Sequence, residues 1–276
     1  MGQRRCFELP NVFLAATVSV HWNKRTPQKI TYESLTLNYM KTITKLSAFS
    51  IAIVAIMLQF SGCKKSNDNN SNPPAGTVTD IEGNIYHTVT IGNQVWMVEN
   101  LKVTKFIDGS TIPLVTDDTA WVGLTTPAYS WYNNDLKSNK ELYGALYNWY
   151  AVNSGKLAPT GWHIPSEQEL DTLLAYLGGH YLAGGKLKSI GTVDSQNGLW
   201  MSPNEGATNE SGFTAYPGGY RVYSFSDISK KGNWWSSTST SPLASAYLFY
   251  LSYYSQDAIL AFAGQDLGLS VRCIKN

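Results

Sequence analysis

Cysteine is nearly absent from this chain. Its 276 residues hold three, Cys6, Cys63 and Cys273, which is too few for a disulfide framework. No Cys and His stand at the spacing of a zinc site. A Gly-x-Ser-x-Gly elbow is missing too, and no Cys lies near a plausible His base, so nucleophilic catalysis finds little support. Charge is scarce at 15% of residues and nets to +1. That total hides an asymmetry, because residues 1–62 carry seven Lys/Arg against two acidic groups, whereas residues 63–276 carry 14 against 18. The later part is therefore mildly acidic, and it offers no electrostatic footprint for nucleic acid.

The basic excess belongs to a targeting region. In "MKTITKLSAFSIAIVAIMLQFSGC", Met40 is followed by Lys41 and Lys45, an apolar run from Leu46 to Phe60, and the small residues Ser61 and Gly62. That is the layout of a secretory signal, and its apolar run is short for a membrane span, which needs about 20 residues. With Cys63 next, the segment resembles a bacterial lipoprotein signal, in which the cysteine is lipidated and becomes the new N-terminus. Lys64 rather than Asp after it points to the outer membrane. The expected layout is an over-called or dispensable extension at 1–39, a signal at 40–62, lipidated Cys63 with a tether to 77, and a domain over 78–276. The tether, "KKSNDNNSNPPAGT", buries too little to offset the entropy of ordering it.

From Val78 the texture becomes that of a folded domain. "NIYHTVTIGNQVWMVENL" places two β-rich runs around Gly92-Asn93, a hairpin signal. "PSEQELDTLLAYLGG" is the clearest helix: Ser166 and Glu169 form a capping box, Leu170, Leu173, Leu174 and Leu177 a stripe, and Gly178-Gly179 a stop. "LYGALYNWYAVN" is a candidate second, more buried helix. Beyond Ser195, Gly, Asn, Ser and aromatics suggest short strands and long structured loops. The expectation is an α+β domain with about two helices, pegged by aromatic side chains.

Candidate chemistry is thin. His163 in "GWHIP" reads as a structural hydrogen-bonding residue. Asp117-Asp118 and Asn133–Asp135 carry oxygens of the kind calcium takes, yet such groups are common in loops, so no cofactor is expected and calcium is the one metal left open. Glu167, Glu169, Glu205 and Glu210 would serve glycoside cleavage only if two of them stood about 5–9 Å apart. "GGHYLAGGKLKS" fails as a phosphate loop on spacing and on Leu187.

Several ordered stretches carry a resemblance. "TDIEGNIYHTVTIGNQVWMVENLKVTKF", "YGALYNWYAV", "PTGWHIPSEQEL", "GFTAYPGGYR", "NWWSST" and "GLSVRC" together resemble the Fibrobacter succinogenes major paralogous domain, over about residues 78–276. The resemblance implies an exported protein of Bacteroidetes and relatives, often a lipoprotein, with no established activity. It also implies a C-type-lectin-like fold of short twisted antiparallel sheets, shared with formylglycine-generating enzymes. Relatives often have Cys at the position of Ala158, paired with the one matching Cys273; here that bridge cannot form. The active-site cysteines of the enzyme branch have no counterpart, which argues against that activity.

One stretch concentrates the functional question. "AYLFYLSYYSQDAILAF" lies between "NWWSST" and "GLSVRC", whose Trp234, Trp235, Val271 and Cys273 read as core. As a strand it would put Tyr247, Phe249, Leu251 and Tyr253 on one face and Leu248, Tyr250, Ser252 and Tyr254 on the other. Either one face is an exposed interaction patch or both are buried. On the first reading the chain is a lipid-anchored surface receptor or adhesin, binding a glycan or protein through Ser237, Thr238, Leu248, Tyr250, Ser252, Tyr254, Gln256 and Asp257. A sharper version makes the stretch the diversified segment of a retroelement variable protein. A polysaccharide-active enzyme and a structural envelope protein are the competing classes.

Overall fold

A computed structural model describes residues 76–240 and 244–276. The expected extension, signal, lipidation site at Cys63 and most of the tether lie outside the described residues. Within them no helix is long and apolar enough to cross a membrane.

The Gly92-Asn93 turn joins β2 (Ile85–Ile91) to β3 (Gln94–Met97), with Ile91 opposite Gln94. β1 (Thr77–Thr79) flanks this hairpin, and β12 (Ile274–Lys275) pairs with β3 on one side and β6 (Trp162–His163) on the other. The last residues of the chain therefore tie the first hairpin to the middle of the domain. A second five-stranded sheet runs β11 (Ala258–Gly264), β10 (Ser245–Ser252), β9 (Lys231–Thr240), β7 (Gly218–Arg221), β8 (Phe225–Ile228). Its pairs are antiparallel except β7–β9. A two-stranded ribbon of β4 (Tyr129–Ser130) and β5 (Leu146–Tyr147) completes the strands.

More helices form than the expected two: α1 (Asp118–Trp121), α2 (Leu136–Tyr143), α3 (Trp149–Asn153), α4 (Glu167–Tyr176) and α5 (His180–Leu187). Only α4 was clear from its pattern, and its capping box and buried Leu170, Leu173 and Leu174 are as expected. The rest span three turns or fewer, too short to repeat an apolar stripe. Three of them, α1, α2 and α3, start instead on side-chain caps, Asp117, Asp135 and Asn148, while α5 starts after Gly179. The candidate helix "LYGALYNWYAVN" splits: Leu142-Tyr143 end α2, Leu146–Tyr147 form β5, and Trp149–Asn153 form α3. Gly144 causes the break: its φ is +72°, and a Cβ there would meet the Leu101 carbonyl at 2.7 Å. The architecture is α+β and β-rich, with curled sheets.

The core is divided by the second sheet. Trp234 and Trp235 are neighbours on β9, so they point to opposite faces. Trp234 stacks on Phe249, centroids 4.8 Å apart, in a cluster with Leu170, Leu173, Trp200 and Phe213. Trp235 enters the other cluster with Tyr147, Leu248, Val271 and Cys273, and its indole donates to the Tyr147 carbonyl at 2.8 Å. Both faces of β10 therefore cover core, which is why its sequence shows no polar alternation. Cys273 is a free, buried thiol, and Ala158 packs against its cluster.

Between the two sheets sits Asn100, buried. Its Oδ1 accepts from the Trp234 indole at 2.8 Å and from the Arg272 guanidinium at 2.9 Å, while its Nδ2 donates to the Tyr143 carbonyl. Arg272 is fully buried, with no carboxylate in ion-pair contact among the described residues, its cation lying 4.1 Å from the Phe213 ring centroid.

Candidate functional site

The covering of β10 is incomplete at one end. On the Trp235 side of the sheet, Leu248 and Ala246 are roofed by core, but further along the strand the roof stops. There Asn233 stands opposite Tyr250, Lys231 opposite Ser252, and Ala261 opposite Leu248. Tyr220 of β7, Lys231, Asn233, Leu248, Tyr250 and Ala261 line an open pocket of about 330 Å³, whose apolar wall is completed by Leu267 and Leu269. That volume is within the range of small-molecule sites, as is the mix of apolar wall and few polar groups.

Asn233 and Lys231 are each held by a neighbour. Asn233, 7% exposed, donates from Nδ2 to the Gly219 carbonyl at 3.2 Å. Lys231 Nζ lies 3.3 Å from an Asp227 carboxylate oxygen and 5.9 Å from the centre of the Tyr250 ring. Burial lowers the Lys231 pKa, but the bond to Asp227, helped by the nearby Tyr220 and Tyr254, more than offsets this, so the net shift is upward. The group is an ammonium across the physiological range.

The eight residues expected to bind ligand do not form one surface. Leu248 and Tyr250 are in the pocket. Ser252 shares their face but is buried, and its hydroxyl has no hydrogen-bond partner among the described residues. Tyr254 is 62% exposed in the turn after β10, edge-on to Tyr253. Gln256 is exposed beside it, while Asp257 lines a separate depression with His180, Tyr181 and Ile259. Ser237 and Thr238 lie towards the far end of β9, against the start of α4: Ser237 N–H donates to the Pro165 carbonyl, and Thr238 Oγ1 accepts from Glu167 N–H at 3.0 Å. Tyr220, Lys231 and Asn233 were missed. The signal for Lys231 and Asn233 is present, since both alternate in phase with Trp235, whereas the expectation for this strand rested on Ser237 and Thr238.

The turn that carries Tyr254 is pinned from below. Lys188, fully buried after α5, donates to the carbonyls of Glu205, Ser252 and Ser255 at 2.8–2.9 Å. Burial pulls its pKa down to about 8, against the pull of Glu205 and Asp257, so it remains charged at neutral pH. The same turn rests on α5 at Gly184, where a Cβ would stand 2.2 Å from the Asp257 carbonyl.

Other candidate groups are occupied. Asp117, Asp118, Asn133 and Asn134 do line one polar depression. Asp117 caps α1, however, Asp118 pairs with buried Arg221 at 2.8 Å, and Asn134 donates to the Thr116 carbonyl. Asp135 caps α2. Among the described residues no three His, Cys, Asp or Glu side chains are grouped to hold a metal ion. His163 bridges Glu169 and Asn276, and Glu210 pairs with Lys186.

No curated protein and no solved structure matches this chain. The Fibrobacter succinogenes major domain matches residues 89–275, a span that begins within β2 and takes in the Gly92-Asn93 turn, the whole second sheet and every residue of the pocket. The chain belongs to the Fibrobacter succinogenes major domain family.

Proposed function

We propose that this chain is a lipid-anchored binding protein of the outer-membrane surface, whose C-type-lectin-like domain holds a glycan in the pocket between Tyr220 and Tyr250. The observation that carries the reading is the pocket itself. Two tyrosine rings, an amide and an ammonium surround an apolar wall beside β10, a strand whose two faces feed the two core clusters. Sugars have apolar C–H faces and hydroxyl edges, and aromatic rings with a few fixed donors suit both. The signal at 40–62, Cys63 and the polar tether support the anchoring.

The test is glycan binding by the full chain and by Tyr250→Ala. Tyr250 is half-buried and pocket-lining, so the variant should keep its melting temperature within a few degrees and lose binding at least tenfold. Unchanged binding, or unfolding of Tyr250→Ala, would overturn the assignment.

A further inference from the structure

We infer that the pocket selects a carboxylated sugar, a uronic acid unit of an acidic glycan, through Lys231. This rests on the glycan reading and adds the ligand's charge. Lys231 is the one formally charged side chain in the pocket lining; the others are tyrosine, asparagine, leucine and alanine.

Its geometry leaves it able to take a second anion. The ammonium has three donors and, among the described residues, one ion-pair partner, Asp227 at 3.3 Å, longer than the 2.7–2.9 Å usual for charge-assisted bonds. A ligand carboxylate in the pocket would meet a donor that is already desolvated, with a side chain only 32% exposed. Around it the chemistry is donor-rich: the Asn233 amide on the opposing strand position to Tyr250, and the hydroxyls of Tyr220 and Tyr250. Leu248, Leu267, Leu269 and Ala261 give the ring's C–H face an apolar wall. A neutral sugar would fill the same space but offer the ammonium only uncharged hydroxyl acceptors. Charge-assisted bonds are about twice as strong as neutral ones, so the carboxylate should dominate selectivity.

The experiment titrates the full chain with galacturonate oligomers and with the same oligomers methyl-esterified, which keeps the rings and removes the charge. The acidic oligomers should bind at least tenfold more tightly. Lys231→Gln should erase that preference while leaving weak binding to both, and Lys231→Arg should restore it. Equal affinity for the two oligomers, or a preference that survives Lys231→Gln, would overturn the acidic selectivity and leave the glycan reading standing if Tyr250→Ala still abolishes binding. Absence of binding to galacturonate, glucuronate and neutral glycans alike would overturn both.

Discussion

The Lys188 ammonium donates to the carbonyl of Ser252 at 2.9 Å, joining the residue after α5 to the end of β10. Bonds to Glu205 and Ser255 use its remaining hydrogens. One buried cation thus fixes the turn that carries Tyr254 and borders the pocket.

Lys188→Met keeps the length and removes every donor. It strands the carbonyls in a dry site, at a cost of roughly 1–3 kcal/mol for each one left unsatisfied. A loss of about 3–5 kcal/mol is expected for breaking a buried charged cluster, read as a lowered urea midpoint. A variant as stable as the parent would show that water replaces the ammonium.

Gly184→Ala tests the other support of that turn. The added Cβ would sit 2.2 Å from the Asp257 carbonyl, and both partners are packed backbone. Overpacking of this kind costs about 1–3 kcal/mol. Hydrogen exchange should quicken in residues 253–257 before it does in α4; uniform acceleration would mean the strain spreads through the whole domain.

Acid should weaken the α4 cap. Burial raises the Glu169 pKa, but its bonds from the Ser166 backbone and hydroxyl and from His163 outweigh this, and the net value is lowered from 4.5. A carboxyl lowered on folding adds stability that is fully present above its unfolded value and lost as pH falls through the folded one. Glu169→Ala should therefore cost about 1 kcal/mol at pH 7, as capping residues do, and much less at pH 3. A difference independent of pH would show that packing, not charge, is what the side chain supplies.

Cys273 should be inert in the native chain. Burial alone raises its pKa far above the usual thiol range, and the thiolate is the reactive form. Maleimide labelling followed by peptide mapping should find it unmodified in buffer and modified in urea. Native labelling would mean that β12 opens readily.

Much of this fold was legible along the chain because the signals were local. The Gly92-Asn93 hairpin and the Ser166–Glu169 capping box are each set by residues a few positions apart, and both appear where expected. The short helices were not legible, since α1 and α3 run for barely more than one turn and show no period. Trp234 and Trp235 were recognisable as core, but nothing local said that they enter two different clusters.

The stretch from Ala246 to Phe262 marks the boundary most clearly. Its sequence alone determined that it would form strands with two apolar faces, because alternation follows from backbone geometry. Which face is covered, and how far along, depends on side chains distant in sequence: Phe213 and the helix α4 on one side, Tyr147, Leu267 and Leu269 on the other. Only the tertiary structure could leave Tyr250 in an open pocket, bury Ser252 two residues later, and bring Tyr220 and Lys231 to meet the ring. Burial is a property of what packs against a residue, and here those partners come from distant parts of the chain.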